Sequence, residues 1–382
     1  MRGYSIATMP KLSGVTSPPH DRQIRVLLTT PAANRVGGVS QYLHVVQPHL
    51  RNNVDFLTVG SRSNEERMDR TAFRMVRDSW QFAYTLRHGC YDIVHLNPSI
   101  YPKALVRDGL LLMIAKALRK TVVVFAHGWG DAYAHASSAR WSLFRLVYSR
   151  ANAFIVLGND FKKRLRVLGY EGAVFVQGAP IEDELLDDCQ QQECASAHRD
   201  KFNILFLARV EKEKGVYEAL ETYRLLKEKH PFISMTVAGD GSHLNGAVRA
   251  ASAQRLADVS FAGHVEGRAK YQSFRSADAY LFPSYAEGLP LSVLEAMAYG
   301  LPIVTRAVGG LRDFFQDGVM GFCTESREPE VFASLLSRLI CDPGLRSNIS
   351  LFNRQYARTH FTSSQVAASL KEVYRFVLAG AG

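Results

Sequence analysis

Two glutamates, Glu287 and Glu295, lie in the stretch "YAEGLPLSVLEAMAYGLP" (residues 285–302), with seven residues between them. Pro290 suits the first turn of a helix, where its missing N–H costs nothing. Gly300 suits the position just beyond a helix end, and Leu301-Pro302 would start the next strand. The pattern therefore predicts Glu287 in a loop before a helix and Glu295 well inside that helix.

The predicted distance between the two carboxyl groups indicates what they do. Eight residues at helical rise separate Glu287 from Glu295 by about 12 Å. Paired catalytic carboxylates of glycoside hydrolases lie about 5–9.5 Å apart, so the spacing argues against a hydrolase pair. It favours two acids that contact different parts of one elongated ligand. The helix N-terminus, with the amides of Leu289, Leu291 and Ser292, suits a phosphate group of that ligand.

Two cations follow another apolar run. Arg209 comes directly after "KFNILFLA" (201–208), and Lys214 stands beside Gly215. Arginine offers a planar fork of donors and lysine a mobile point charge, so together they form a natural clamp for an anion. The alternative is a solvated surface loop, and Lys212 fits that alternative.

Paired glycines precede a predicted helix near the N-terminus. Gly37 and Gly38 lie in "RVGGVSQ", after the first apolar run. Glycines let backbone N–H groups approach a phosphate, and the following helix N-terminus adds partial positive charge. A tight turn explains the same pair, and it also explains Gly239 and Gly241 in "GDGS".

Continuous apolar runs alternate with amphipathic segments along the chain, which predicts parallel strands buried on both faces. One amphipathic segment, 39–50, is expected to end early at Pro48. The predicted strands are 24–31, 54–60, 91–97, 121–128, 153–159 and 173–180, and then 201–209, 233–241, 258–265, 277–284 and 301–310.

The pattern predicts an α/β fold with two doubly wound, Rossmann-like domains that face each other across a cleft. A chain of 382 residues is too long for one comfortable core. Ligands of such sheets bind at the carboxyl ends of the strands. The expected parts are a flexible tail (1–22), an N-terminal Rossmann-like domain (23–180), a linker (181–200), a C-terminal Rossmann-like domain (201–360) and a C-terminal helix (361–382) that crosses back to the first domain.

Charge is distributed unevenly. The chain has a net charge of +10, with +13 in residues 1–180 and −3 in residues 181–382. The first half therefore favours an anionic partner: a phosphorylated ligand, an acidic lipid surface or nucleic acid. A basic surface that only aids solubility is the alternative.

One basic segment suggests a membrane contact. In "RWSLFRLVYSR" (140–150), Trp141, Phe144 and Tyr148 recur at helical spacing among arginines. Such a helix could lie on an anionic lipid surface, or its aromatic side chains could pack in the domain core.

The cysteines and the N-terminus indicate a cytoplasmic location. The cysteines number five, and none of their spacings matches a metal site, which is typical of a reducing compartment. Residues 1–22 lack the apolar core of a signal peptide, and the apolar run 109–118 is too short to span a bilayer. Peripheral association with the inner face of the plasma membrane is a further expectation.

From about residue 24 onward, and most closely over 204–322, the chain resembles the retaining glycosyltransferases of family 4 (glycosyl transferases group 1, GT-B fold). The resemblance rests on Glu287 and Glu295 with Arg209, Lys214 and the Gly37-Gly38 pair. It implies that Glu287 contacts the donor sugar near its anomeric centre and that Glu295 holds the ribose. Arg209 and Lys214 would neutralise the diphosphate.

The resemblance implies further contacts with the donor. The Gly38 amide would meet the distal phosphate, and the backbone around His264 and Val265 would edge the base. Gly288, with the amides after it, would line the phosphate site. His127, at the end of "TVVVFAH", matches a family histidine that projects toward the donor sugar; a capped core histidine is the alternative.

The implied reaction is the retaining transfer of a hexose from a nucleoside-diphosphate sugar to a hydroxyl, in bacterial surface, exopolysaccharide or lipopolysaccharide assembly. The acceptor would be lipid-linked or a saccharide. No Asp-x-Asp occurs in the chain, so we expect no metal and no cofactor, with Arg209 and Lys214 replacing the metal clamp. The alternatives are a GT-B sugar-nucleotide epimerase and a non-catalytic nucleotide-sugar binding protein. A nucleic-acid partner is not expected, because no recognised motif or stacking platform occurs.

Overall fold

A computed structural model describes residues 23–32, 37–60, 70–98, 102–128, 144–192 and 201–380. The chain divides into two compact units. The first comprises residues 1–180 and 363–382, and the second comprises residues 181–362.

The first unit is a six-stranded parallel sheet in the order β2-β1-β3-β4-β5-β6. Its strands are β1 (Val26–Thr30), β2 (Val54–Thr58), β3 (Ile93–Leu96), β4 (Thr121–Ala126), β5 (Ala153–Val156) and β6 (Ala173–Val176). Its helices include α1 (Gly38–Leu50), α2 (Arg70–His88), α3 (Pro102–Ala117), α4 (Asn159–Val167) and, near the C-terminus, α13 (Ser363–Ala379). Every residue of β3 and β5 is buried, as apolar runs covered on both faces require.

The second unit repeats this architecture with the order β12-β11-β10-β7-β8-β9, again all parallel. Its strands are β7 (Phe202–Leu207), β8 (Ile233–Ala238), β9 (Val259–Gly263), β10 (Ala279–Phe282), β11 (Ile303–Arg306) and β12 (Gly321–Thr324). Its helices are α5 (Asp183–Gln192), α6 (Val216–Lys229), α7 (Leu244–Ala253), α8 (Gly267–Arg275), α9 (Leu291–Ala298), α10 (Leu311–Phe314), α11 (Pro329–Cys341) and α12 (Pro343–His360).

The eleven strands expected from the sequence are present, each within its predicted range, and the α/β class is confirmed. The twelfth strand, β12, was not predicted, because its four residues "GFCT" carry too short an apolar run. The prediction that Pro48 ends its helix early is wrong, because α1 continues to Leu50.

The segment expected to be a linker is a helix over Asp183–Gln192, and it belongs to the second unit. Two acidic side chains of the segment have cationic partners, although the sequence suggested solvated linker residues. The guanidinium of Arg275 binds Asp188, and Nζ of Lys270 lies 3.4 Å from Oε1 of Glu182 just before the helix. The remaining linker residues, 193–200, lie outside the described residues, as does the predicted tail, 1–22.

The basic aromatic segment at 140–150 uses its described aromatic rings for packing. Tyr148 is buried and donates a hydrogen bond to the Leu105 carbonyl at 2.9 Å. Phe144 stacks on Tyr148 and lies 6.3 Å from Phe154, ring centre to ring centre. Trp141 lies outside the described residues. For the part that is described, the aromatic rings fit the core alternative, and a lipid contact of this segment stays a prediction.

Candidate functional site

The second unit brings the predicted donor-binding residues to one edge of its sheet. Strands β10, β7, β8 and β9 are consecutive neighbours in the sheet. Glu287 follows β10, Arg209 and Lys214 follow β7, and His264 and Val265 follow β9. Because parallel strands end at the same edge, these loops lie side by side, where ligands of open α/β sheets bind.

The central contact of this edge joins Lys214 to Glu287. Nζ of Lys214 lies 2.5 Å from Oε1 of Glu287, and both side chains are largely buried. The hydroxyl of the buried Ser284 donates to the same carboxylate oxygen at 2.7 Å. Glu287 is therefore held in one orientation by a charge and a hydroxyl. Arg209 is exposed and lies two residues beyond the end of β7, so its guanidinium is available to an anion from solution.

Two glycines allow the loops to approach this closely. A Cβ on Gly215, whose φ is +80°, would lie 2.5 Å from the Pro283 carbonyl oxygen. A Cβ on Gly309, with φ +52°, would lie 2.1 Å from the Gly288 carbonyl oxygen. Positive φ and backbone contact both exclude a larger side chain. The loop that carries Glu287 is therefore packed between its two neighbours.

Arg306 holds the backbone of this loop through hydrogen bonds. Its side chain is buried, and its guanidinium donates to four backbone carbonyls, those of Ser284, Tyr285, Glu325 and Ser326. Burial lowers the pKa of Arg306, which is the cost of placing a charge there. A buried cation bound to carbonyls of two loops fixes the backbone beside Glu287.

The helix after Glu287 begins at Leu291, with Pro290 as its N-cap. Val293 and Leu294 donate their amides to the Pro290 carbonyl, at 3.1 and 3.5 Å. The amides of Leu291 and Ser292 precede them and have no carbonyl one turn earlier within the helix, so they are suited to an anion. The Ser292 hydroxyl is already hydrogen-bonded to Tyr280, at 2.7 Å, so the amide rather than the hydroxyl is the group left for a ligand.

Glu295 occupies the fifth position of α9, as the sequence predicts, but it is 6% exposed and has a partner. Nζ of Lys270 lies 3.0 Å from its Oε1 and also contacts Glu182, whose other oxygen accepts from Tyr271 at 3.1 Å. Burial raises the pKa of Glu295, and the ammonium of Lys270 opposes that shift. For Lys270 burial acts to lower the pKa, but the two carboxylates raise it, so the ammonium stays charged.

The predicted base contact lies in an exposed segment. His264 is exposed, with Nε2 3.7 Å from Oε2 of the exposed Glu266, and Val265 is partly buried beside it. The Gly263 carbonyl, just before them, accepts from the Gly239 amide at 2.6 Å. This bond links the loop after β8 to the end of β9.

In the first unit, Gly37 caps α1 and Gly38 is its first residue. The φ of Gly37 is 171°, an extended conformation open to any residue. Among the described residues, no atom lies within 4 Å of a Cβ built on either glycine. Neither the backbone conformation of Gly37 nor the packing of the described residues requires glycine at these two positions.

His127 follows β4 and belongs to a polar group across three adjacent strands. Its Nε2 lies 2.8 Å from Oδ1 of Asn97, which follows β3. Asn97 in turn donates from Nδ2 to the Thr29 carbonyl in β1, at 2.9 Å. The His127 ring stacks on Phe125 with ring centres 3.8 Å apart and meets the edge of Tyr42 at 5.0 Å.

These bonds determine which ring nitrogen of His127 carries the proton. The Thr29 carbonyl can only accept, so the Asn97 atom facing it is the amide nitrogen and the one facing His127 is the oxygen. Nε2 of His127 must therefore donate. Burial, with the nearby His95, lowers the pKa of His127 to about 3, so the ring is neutral at pH 7. Nδ1 then carries a lone pair and can accept a hydrogen bond from a ligand hydroxyl.

Sequence reasoning missed four residues of these sites: Asn97, Lys270, Ser284 and Arg306. Ser284 and Arg306 stand at strand ends, the same signal that identified Arg209, and could have been found by it. Lys270 lies on a polar helix and not at the end of a predicted strand, so its sequence position did not indicate a site. In the described part of the chain, no group of three or more His, Cys, Asp or Glu side chains could hold a metal ion.

Most of the second unit matches a known family. Residues 190–356 match the family model described as "Glycosyl transferases group 1". The matched segment contains Arg209, Lys214, Glu287 and Glu295. It lies within the second unit, so the first unit, with Gly37, Gly38 and His127, is outside it.

Curated relatives match part of the chain. Glycogen synthase from Mycobacterium tuberculosis is 30% identical over 172 residues, which are 45% of this chain and 42% of that protein. The capsular polysaccharide biosynthesis glycosyltransferase CapM from Staphylococcus aureus is 24% identical over 230 residues, 59% of each chain. The chain thus spans about half the length of the curated relatives it matches.

A solved structure matches nearly the whole chain. The Anabaena protein Alr3699/HepE, solved in complex with UDP-glucose, aligns with a TM-score of 0.70 at 18% identity, covering 92% of this chain and 99% of that one. This likeness, with two six-stranded parallel sheets flanked by helices, shows the α/β GT-B fold.

Proposed function

We propose that this chain is a retaining glycosyltransferase of family 4, which transfers a sugar from a nucleoside-diphosphate sugar to a hydroxyl group. The observation that carries the proposal is the 2.5 Å pair of Lys214 and Glu287, beside Arg209 and the start of α9. Two cations and free amides suit a diphosphate, and one oriented carboxylate adjoins them. The family match over 190–356 and the fold of a protein that binds UDP-glucose support it.

Each group has a role in the transfer. The bond between the sugar carbon and the diphosphate oxygen breaks, which leaves negative charge on the diphosphate and positive charge on the ring. Arg209, Lys214 and the helix N-terminus stabilise the diphosphate, while Glu287 faces the ring. The acceptor oxygen bonds to the sugar carbon on the same face, and its proton passes to the departing phosphate oxygen.

The family resemblance implies further contacts with the donor. We assign Oε2 of Glu295 to a ribose hydroxyl, because Lys270 contacts Oε1. The backbone at His264 and Val265 edges the base. In the first unit, Nδ1 of His127 accepts from a sugar hydroxyl, and the Gly37-Gly38 turn approaches the distal phosphate. These contacts follow the family resemblance.

The metal and the acceptor are further parts of the proposal. The chain contains no Asp-x-Asp, so Arg209 and Lys214 take the place of a metal at the diphosphate. We propose a lipid-linked or saccharide acceptor in bacterial surface polysaccharide assembly, a role that the likeness to CapM supports. A cytoplasmic location at an anionic membrane surface fits such an acceptor. In the described part of the chain, no helix is long and apolar enough to cross a bilayer.

The test is a thermal-shift panel of nucleoside diphosphates and their sugars, starting with UDP and UDP-glucose. We expect one nucleotide to raise the Tm. Lys214→Met and Arg209→Ala should abolish the shift, and Lys212→Met is the matched control, because Lys212 is an exposed lysine of the same turn. If no nucleotide raises the Tm, or if Lys212→Met loses the shift equally, the proposal is wrong. An epimerised donor formed without acceptor would support an epimerase instead.

A further inference from the structure

Helix α2 exposes a row of large apolar side chains. Phe73, Val76, Trp80 and Tyr84 are 74%, 69%, 68% and 52% exposed. Their spacings of three, four and four residues put them on one face of the helix, along more than two turns. Single exposed apolar residues are ordinary, but a continuous row of this size marks an interaction surface.

The opposite face of α2 is firmly packed, so the row cannot turn inward. Phe82 and Leu86 are buried in the core. The carboxylate of Asp78 is buried as well, accepts from the Gly60 amide at 2.8 Å and forms an ion pair with Arg77 at 3.1 Å. The helix is thus fixed with its aromatic side outward.

The chemistry of the exposed side combines aromatic rings with positive charge. Trp80 and Tyr84 stack with ring centres 5.4 Å apart, and Tyr84 continues to the His88 ring at 4.1 Å. The exposed side chains of Arg77 and Arg87 lie three residues from Trp80 and Tyr84 respectively. The acid of this helix, Asp78, points into the core. Beside α2, helix α3 exposes Val106 and Leu110.

We propose that the α2 face, defined as Phe73, Val76, Trp80 and Tyr84 with Arg77, Arg87 and His88, docks on the surface of an anionic lipid bilayer. Tryptophan and tyrosine place an apolar ring among acyl chains and a polar tip among headgroups, and arginines at the edge attract anionic lipid. The +13 charge of residues 1–180 favours lipid over an apolar or basic protein partner.

This surface is different from the one the sequence suggested, since the described aromatics of 140–150 pack inward. The link to catalysis rests on the proposed function, because a lipid-linked acceptor would present its hydroxyl at the same bilayer surface. The docking itself rests on α2 alone.

The experiment is co-sedimentation of the full chain with vesicles of phosphatidylcholine, with or without phosphatidylglycerol. We expect binding to the phosphatidylglycerol vesicles at low ionic strength and weaker binding as salt rises. The double variant Phe73→Ser/Trp80→Ser should bind at least about tenfold more weakly, because two aromatic side chains no longer enter the interface. Arg87→Gln should reduce binding at low salt more than at high salt.

The matched control is Val167→Ser, which removes an 87% exposed apolar side chain from α4 of the same unit. It should bind vesicles as the unchanged protein does. Three results would each overturn the proposal. They are an equal loss of vesicle binding in Val167→Ser and Phe73→Ser/Trp80→Ser, no loss of vesicle binding in the double variant, and no binding of the unchanged protein to anionic vesicles. A concentration-dependent dimer that the double variant abolishes would overturn it in favour of a second copy of this chain.

Nucleotide binding separates this proposal from the proposed function. Calorimetry on the double variant should give the same affinity for the nucleoside diphosphate as the unchanged protein. If the protein binds nucleotide but not vesicles, only the proposed docking of the α2 face on lipid is contradicted. If it binds vesicles but not nucleotide, only the proposed glycosyltransferase function is contradicted.

Discussion

Lys270 and Glu295 form a buried ion pair, with Nζ 3.0 Å from Oε1, between helices α8 and α9. The glutamate assigned to the ribose is therefore held by a cation of its own unit. A buried carboxylate without its partner would lose solvation without compensation. Lys270 thus keeps Glu295 charged and in place.

Removing Lys270 should destabilise the second unit. We expect Lys270→Met to lower the free energy of unfolding by about 3–5 kcal/mol, because it leaves Glu182 and Glu295 near each other without their cation. Urea unfolding of the variant measures this. Lys270→Arg is the control, and Lys270→Met/Glu295→Leu should recover much of the loss. If Lys270→Met is as stable as the unchanged chain, the pair has no structural role.

Substitutions of Glu287 and Glu295 should change different kinetic and binding constants. Glu287→Gln keeps the shape and loses the charge beside the reacting ring, so kcat should fall about 10²–10³-fold while nucleoside diphosphate binds nearly as before. Glu295→Ala should instead raise KM for the donor and Kd for the nucleoside diphosphate. Calorimetry with donor-saturation kinetics makes the comparison. Loss of nucleotide binding in Glu287→Gln alone would reverse the assigned roles.

The proton position on His127 can be read directly. Imidazole ¹⁵N spectra at pH 7 should show Nε2 protonated and Nδ1 bare, with His127→Gln used to assign the signal. Asn97→Asp should raise the pKa of His127, because a carboxylate beside Nε2 stabilises the imidazolium. Asn97→Leu should lose the tautomer preference. An Nδ1–H signal in the unchanged protein would refute the assigned hydrogen-bond pattern.

Excess chelator should leave transfer activity intact, since Arg209 and Lys214 are proposed to neutralise the diphosphate. Activity after EDTA treatment and dialysis, with and without added Mg²⁺ or Mn²⁺, is the measurement. Activity lost to chelator and restored by either ion would contradict the proposed clamp.

Buried histidines should make the protein acid-sensitive. Burial lowers the pKa of His95 from 6.5 to about 3 in the folded protein. In the unfolded chain His95 is protonated at pH values below its ordinary pKa of 6.5, whereas in the folded chain it stays neutral down to about pH 3. Stability should therefore fall as pH falls through that window, by up to about 1.4 kcal/mol per pH unit for each such group. Unfolding midpoints at pH 7, 5.5 and 4 should show a smaller slope for His95→Phe.

The sequence predicted the strands well because each is a short run of apolar residues buried on both faces. The positions of Glu287, Arg209 and Lys214 followed from the rule that parallel strands end at one edge. Lys270 and Asn97 were not predictable in this way, because their partners lie on other elements and a single sequence does not show which elements meet. The aromatic residues of 140–150 and the apolar row of α2 both recur at helical spacing, and periodicity alone does not say which face of a helix is covered.

The chain path has a consequence for synthesis on the ribosome. The second unit is one continuous segment, 181–362, whereas the first unit needs α13 from the C-terminus. Tyr374 in α13 places its hydroxyl 2.6 Å from Nδ1 of the buried His95 and closes the first core. The nascent chain can therefore fold its second unit while the core of the first unit is still incomplete. The core of the first unit is completed only after α13 has left the exit tunnel.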